Sequence, residues 1–360
     1  MLAVGGSDGP GLTRSGSARM CRTACRARNG RVKAATIYDV ARLAGVSHQT
    51  VSRFLSGFEG IRPETRARVE SALAELGYRP NAAARQLRTQ RVNRIGVIAD
   101  RVDHTGPARI IAGATAAARE HGYLLDVVLT NGIEVEAVES ALALVNEHRV
   151  AGLLATAQTD AMVEYLRAHA PAAPMVVDAR LRVDAGGVSM NEYAGGLAAD
   201  HLLQLGHRRV GYVSGPRAWL AASGRMDGFV RRMREGGGEV AWTREGDWSA
   251  DSGAAAWADL DGAERGVSAV ATGNDSMAIG LISSAVADGV RVPDDLSVTG
   301  NDDIHESRYL LPPLSTVSVD FEGEGRVLIK QLLAQIDPAI EAPRRGRLPY
   351  FIARGSTRAL

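Results

Sequence analysis

From residue 95 onward the chain alternates between two hydrophobic rhythms. Short aliphatic or β-branched runs stand at Ile95 to Ala99, Leu124 to Leu129, Gly152 to Ala155, Met175 to Val177, Val210 to Val213, Val267 to Ala271 and Ser297 to Thr299. Between them lie longer stretches whose apolar residues recur every three or four positions, among them Pro107 to His121, Glu134 to Glu147, Tyr193 to Leu205 and Ser276 to Asp288. The first rhythm predicts buried strands and the second amphipathic helices. Their alternation predicts βαβ units and parallel sheets covered on both faces. A single barrel or two doubly wound halves would satisfy the pattern, and the long gap around Ala179 to Gly187 favours two halves. A last strand is predicted at Leu348 to Ile352.

Before residue 95 the rhythm is purely helical. Thr36-Ile37-Tyr38-Asp39 reads as a capping-box start for a helix that runs into Gly45-Val46-Ser47. Ser47 can cap a second helix from His48 to about Leu55, and Pro63 opens a third with Val69, Leu73 and Leu76 at core spacing and a stop at Gly77. Asn81 can cap one more short helix, Ala82 to Arg88. Residues 1 to about 35 are rich in Gly, Ser and Arg without periodicity and are expected to be disordered.

Composition sharpens this division. The chain has 360 residues and a formal net charge of +1. Residues 1–94 hold 17 Lys+Arg against 6 Asp+Glu, net +11, and the remaining 25 basic and 35 acidic residues give the rest −10. A basic head on an acidic body suggests a polyanion partner for the head. No apolar run approaches the ~20 residues of a membrane span. Cys21 and Cys25 are the only cysteines, so no disulfide framework is expected. Their spacing lacks the second ligand pair of a structural zinc site, and no metal or other cofactor is expected. The Gly-x-Ser-x-Gly at residues 5–9 has neither a strand before it nor a helix after it and is read as a chance match.

Ala41, Gly45 and Val51 occupy the small, glycine and aliphatic positions of a helix-turn-helix, where a small residue lets the helices approach and Gly permits a positive φ. The second helix would enter the major groove and present His48, Gln49 and Arg53 to base edges. Thr36, Ser47, Thr50, Ser52 and Ser56 are placed at phosphates, which position without reading sequence. The run from Thr36 to Arg53, followed by Gly77-Tyr78-Arg79-Pro80-Asn81-Ala82-Ala83-Ala84-Arg85-Gln86-Leu87, resembles the head and hinge of the LacI/GalR family of transcriptional regulators, a likeness that extends to about residue 358. The resemblance adds Tyr38, Asn81, Ala84 and Leu87 to the expected DNA-binding set. It also implies that Leu87 wedges a minor-groove base step. His48 stands where a galactoside-responsive member has Tyr, so that member's operator is not transferred.

Open parallel sheets bind ligands beyond the carboxyl ends of their strands. Those ends carry Asp178, Asn274-Asp275 and Asn301-Asp302-Asp303, with Arg225 early in a helix after Gly215-Pro216. Carboxylate, amide and guanidinium groups beside an aromatic face suit a sugar. By resemblance the body is a periplasmic-binding-protein-like core. Glu245-Gly246-Asp247-Trp248-Ser249-Ala250 matches a family stretch whose Trp stacks on a galactoside, and Ile110, Asp178, Arg225, Asn274, Asp302 and Phe321 fall on effector-contacting positions. Asn301 replaces the aromatic common before Asp302, and Thr105-Gly106-Pro107 only loosely resembles the family's first-strand loop. The alternative for Trp248 is a core or surface aromatic, and for Asp302 and Asp303 a helix cap.

The expected architecture is therefore α/β. It has a disordered basic tail (1–35), an all-α helix-turn-helix head (36–80), and a hinge helix and linker (81–93). A core of two doubly wound parallel-sheet subdomains follows (94–360). Its N-subdomain covers about 94–190 and 320–345, and its C-subdomain about 191–318 and 346–358. The expected function is that of a cytoplasmic, homodimeric repressor that binds double-stranded operator DNA and is released by a small sugar, with a galactoside favoured. A purine-dependent corepressor-type regulator is the alternative. No Gly-x-Gly-x-x-Gly after a strand, Walker loop or His-Glu-x-x-His supports an enzyme. Glycoside hydrolysis by the pocket carboxylates is the remaining enzymatic alternative. A plain solute-binding protein would need an export signal and no head. The sequence ends without a heptad tail, which favours dimers over tetramers.

Overall fold

The computed structural model describes residues 35–78, 92–130, 134–178, 187–343 and 346–360. The head and the core belong to separate compact units. The expected tail, the hinge helix with Asn81, Ala84 and Leu87, and both cysteines lie outside the described residues.

The head is three helices, α1 (Ile37–Ala44), α2 (His48–Leu55) and α3 (Pro63–Glu75). Local chemistry sets their ends. Thr36 and Asp39 form a reciprocal capping box, Ser47 accepts from the Thr50 amide, and Pro63 occupies the first turn of α3. Gly45 ends α1 at φ 64°, a left-handed conformation that only glycine adopts without penalty. Val40, Val51 and Val69, one from each helix, are fully buried against one another with Ala41, Ala44 and Ala72. A core this small leaves no spare apolar contact.

The core has two lobes, each built on its own sheet. The first sheet has the order β2-β1-β3-β4, from Arg94–Ala99 (β1), Leu124–Leu129 (β2), Gly152–Thr156 (β3) and Met175–Asp178 (β4), all parallel. It is covered by α4 (Thr105–Glu120), α5 (Val135–Glu147), α6 (Asp160–Ala168) and, returning from the far end of the chain, α11 (Phe321–Ile336). The second sheet runs β10-β9-β8-β7-β5-β6, from Arg209–Ser214 (β5), Glu239–Glu245 (β6), Ala269–Thr272 (β7), Ser297–Asn301 (β8), Ser315–Ser318 (β9) and Tyr350–Ile352 (β10). Helices α7 (Met190–Gln204), α8 (Leu220–Glu235), α9 (Ala250–Ala258) and α10 (Asp275–Ala287) flank it.

Three features differ from the sequence expectation. β6 and β9 were not expected. β6 is an edge strand whose charged ends mask its apolar centre, and β9 is only four residues long. The last strand is also antiparallel to β9, so the second sheet is mixed. In both sheets the strand order reverses beside the first strand, between β1 and β3 and between β5 and β7. The crevices that such reversals open at the carboxyl ends of strands are where ligands enter these folds.

Three helix pairs pack backbone to backbone through reciprocal glycines. A Cβ on Gly195 of α7 would overlap the Arg225 carbonyl of α8, and one on Gly228 of α8 would overlap the Glu192 carbonyl of α7. Gly253 and Gly280 join α9 to α10 in the same way, and Gly113 and Gly325 join α4 to α11. The lobes thus use one packing device three times, and the helices so joined carry much of the cleft described next.

Candidate functional site

In the head, α2 presents His48, Gln49 and Arg53 on its exposed side. The His48 ring lies 5.2 Å from that of Tyr38, and the Arg53 guanidinium sits 5.6 Å from the Phe58 ring centre. These contacts orient long side chains without burying their polar edges. The hydroxyls expected at phosphates already have intrachain partners. Thr36 donates to Asp39 at 2.7 Å, Ser47 and Thr50 share a bond of 2.9 Å, and Ser56 donates to the Arg53 carbonyl at 2.9 Å. Ser52 is half-buried. The two N-caps still leave first-turn amides free to meet an anion.

In the core, a single cavity of about 110 Å³ brings Ile110, Asp178, Arg225, Trp248, Asn274, Asp302 and Phe321 together. Its wall comes from both lobes: α4, α11 and the ends of β3 and β4 on one side, and α7, α8 and the ends of β6, β7 and β8 on the other. The lobes also touch directly, since the Leu220 amide donates to the Gln158 carbonyl at 2.8 Å and the His104 ring packs edge-on to Trp219 at 5.7 Å.

Arg225 is the electrostatic centre. It is 5% exposed and holds Asp302 at 3.1 Å, the Gly273 carbonyl at 2.5 Å and Asn191 Oδ1 at 3.3 Å. Its guanidinium lies 5.6 Å from the Trp248 ring centre. Burial pushes the Asp302 carboxyl above its ordinary value even though Arg225 opposes the shift. Asn274 caps α10 through the Met277 amide and donates its own NH2 to the Trp248 carbonyl, which fixes the loop carrying the indole. Trp248 and Asp302 both have positive φ, 73° and 110°, conformations that a surrounding structure must enforce and that cluster at ligand sites. The Trp248 Nε1 is buried and has no hydrogen-bond partner among the described residues.

Neither Asp302 nor Asp303 caps a helix. The turn His305–Tyr309 has no side-chain cap, Asp302 belongs to the cavity, and Asp303 pairs with Arg354 at 2.5 Å. Asp275 takes the structural role beneath: it accepts from the Ile304 amide and from Ser307 and Thr316, and burial raises its carboxyl to about 7. Sequence reasoning missed Glu324, His104 and Trp219, all of which line the cavity. Glu324 stands in the first turn of α11, where an acidic residue normally complements the helix dipole, so nothing in the sequence marked it.

The buried ionisable groups make a pH prediction. Asp275 has a folded value above its ordinary one, so the folded state holds a proton that the unfolded state releases, and stability is lost as pH rises toward and through about 7. Burial lowers the values of His104 and His207 and takes His201 to about 4, so these residues cost stability as pH falls below about 6.5. Melting temperature is therefore expected to rise from pH 8 to about 6.5, with the histidines opposing any further gain below. The Asp275→Asn variant should show a flatter rise in calorimetry. A profile as steep as that of the parent would remove Asp275 as its source.

A two-lobed core with a polar cleft, in one chain with a helix-turn-helix head, has the make-up of a DNA-binding regulator. Comparison with known proteins gives the family. Residues 36–81 match the profile of bacterial regulatory proteins of the lacI family, and residues 199–357 match a periplasmic binding protein-like domain. The chain is 32% identical to the lactose operon repressor of Escherichia coli K12 over 306 residues, 84% of this chain and 85% of that one. It is 33% identical to the transcriptional repressor PurR of Haemophilus influenzae over 335 residues, 91% of this chain and 99% of that one. Among solved structures, the lac repressor dimer bound to operator and the anti-inducer ONPF superposes with a TM-score of 0.80 at 30% identity, covering 91% of this chain and all of that one. The regulator CelR in complex with cellobiose superposes at 0.64 with 28% identity, covering 89% of this chain and 99% of that one. The chain belongs to the lacI family of DNA-binding transcriptional repressors. Its fold is theirs, an N-terminal helix-turn-helix with an α/β core of parallel sheets. Among the described residues no helix is long and apolar enough to cross a membrane.

Proposed function

We propose that the protein is a cytoplasmic, homodimeric repressor that binds a palindromic operator and releases it when a small sugar enters the cleft between the lobes. The domain limits set out from the sequence are kept for this reading. The observation that carries it is the cavity itself. A buried Arg225–Asp302 pair, an amide-anchored loop and the Trp248 and Phe321 rings form one wall system spanning both lobes. Such a wall offers bidentate partners for hydroxyls and flat apolar faces for C–H groups. Because both lobes contribute, a ligand can favour one relative placement of the lobes, and only such a differential affinity shifts an equilibrium. The sequence-based hinge, with Asn81, Ala84 and the Leu87 wedge, is the element through which that shift would reach the head.

In the head, His48, Gln49 and Arg53 are the proposed base readers, while Thr36, Tyr38, Ser47, Thr50, Ser52 and Ser56 position the backbone. Replacing Arg53 by alanine is expected to cost one base contact, about 1–3 kcal/mol or roughly 5- to 150-fold in preference for the operator over unrelated DNA. Gel-shift titration of both DNAs at one salt concentration checks this. Equal loss on both would make Arg53 a phosphate contact instead.

A second reading is favoured by the PurR repressors, one of which matches 91% of the chain at 33% identity where the lactose operon repressor matches 84% at 32%. In that reading a purine strengthens operator binding. A palindrome-bearing fragment from the gene's own neighbourhood, shifted with and without sugars and purines, separates the two. Sugar-induced release supports the first reading, and purine-enhanced binding supports the second.

A further inference from the structure

The cavity is charged unevenly. Its wall contains three carboxylates, Asp178, Asp302 and Glu324, and one guanidinium, Arg225. Asp302 takes that guanidinium at 3.1 Å on the side of the second lobe. The other two belong to the first lobe, Asp178 at the end of β4 and Glu324 in the first turn of α11. Neither carboxylate has an ion pair or hydrogen bond to a described residue. They share one cavity in which, among the described residues, the one guanidinium is already paired with Asp302, and the loss of bulk water compounds their mutual repulsion.

The response of the two groups is consistent with that geometry. Burial raises Asp178 to about 6, and burial followed by the charge of Asp178 raises Glu324 well above its ordinary range. Arg225 only partly opposes this, and Asp320, the N-cap of α11, adds to the repulsion. The remaining ionisable group in the wall is His104, which burial keeps toward its neutral form, and Arg109 on α4 acts on Asp302. Among the described residues, neither of the two carboxylates is offset by a partner in the fold. A strongly perturbed, unpaired group in a cleft marks function more often than structure. Acidity is also not the sole signal. Trp248, a residue of the same wall and only 7% exposed, has a buried indole N–H with no partner among the described residues.

We propose that Asp178 and Glu324 form the seat for a cationic nitrogen, and that the effector is an amino sugar with a free ammonium group. The proposal rests on the sugar-effector reading above and narrows it. An ammonium offers three donors and a charge, enough to satisfy both carboxylates at once through charge-assisted bonds. The sugar's hydroxyls then meet Arg225, Asn274 and Asp302 on the second lobe, with its C–H faces on Trp248 and Phe321. A ligand held by its nitrogen on one lobe and its hydroxyls on the other ties the two together, which gives it different affinities for different lobe placements. Binding also converts the carboxyl pair to its fully ionised form, and the proton it held passes to the buffer.

Isothermal titration of the full-length chain decides the matter. The panel is glucosamine, galactosamine and mannosamine, their N-acetyl forms, the neutral parent hexoses, and hypoxanthine and guanine. At least one free amino sugar is expected to bind tenfold or more tightly than its neutral parent and its N-acetyl form. Its apparent enthalpy should change with the ionisation enthalpy of the buffer, which reports the released proton. Glu324→Gln and Asp178→Asn, near-isosteric changes whose folding is checked by melting temperature, should each erase most of that tenfold preference and reduce proton release. Neutral and amino sugars bound alike would overturn the ammonium seat and leave the sugar reading standing. Binding of a purine with no sugar bound would overturn both. Absence of binding by any amino sugar at millimolar concentration would likewise overturn the seat.

Discussion

Arg225→Ala should eliminate the response to effector and destabilise the core by about 3–5 kcal/mol, the usual result of removing one partner from a buried ion pair. The guanidinium holds Asp302, the Gly273 carbonyl and Asn191 simultaneously, so its loss strands three groups at the cavity wall. Asp302 suffers most. It is already raised by burial and would lose the charge that opposes the shift. Glu324 would lose the same support. Thermal unfolding and ligand titration separate the two consequences. The double variant Arg225→Met with Asp302→Asn removes both charges and keeps a neutral acceptor for the Asn301 side chain, which bonds Asp302 at 2.7 Å. It should recover most of the lost stability, as replacement of a whole buried pair commonly does, and still fail to respond to effector. A double variant that responds like the parent would mean that the pair supports the fold and does not touch the ligand.

Legibility in the sequence followed the range of the forces involved. In the head the decisive signals are local. Thr36, Ser47, Pro63 and Gly45 each act within one turn of the chain, and the helix ends fall where these residues place them. In the core, the alternation of strands and helices was legible because buried parallel strands need continuous apolar runs. β6 and β9 escaped because an edge strand with charged ends and a strand made mostly of Ser and Thr lack such a run. The cavity residues at strand ends, Asp178, Asn274 and Asp302, were legible because a parallel sheet delivers all its carboxyl ends to one side. Glu324, His104 and Trp219 reach the same cavity from helix starts and loops, and only the packing of α11 and α4 across the first sheet puts two of them there. The distinct chemistry of the cleft therefore depends on a residue that the chain pattern disguised as a dipole-complementing glutamate.

Gly195→Ala, a change of one methyl group, is expected to disturb both lobe packing and ligand binding. The added Cβ would lie within the van der Waals envelope of the Arg225 carbonyl, and Gly228 blocks any slide of α8 along α7 by its own approach to the Glu192 carbonyl. A backbone oxygen in a helix cannot rotate aside as a side chain can, so the helices must part. Overpacking of this kind costs about 1–3 kcal/mol, against which the better helix propensity of alanine returns at most about 1 kcal/mol. For a lobe of this size each lost kcal/mol lowers the melting temperature by roughly 2–4 °C. The residue pushed away is Arg225 itself, so effector affinity should fall along with stability, although Gly195 is not among the residues of the cavity wall. Gly262→Ala is the control, because no atom lies within 4 Å of the Cβ it would add. It should leave both readouts within experimental error. If Gly195→Ala melted and bound effector like this control, α7 and α8 would be free to part without moving Arg225, and the glycine pairs would not hold the geometry of the cleft.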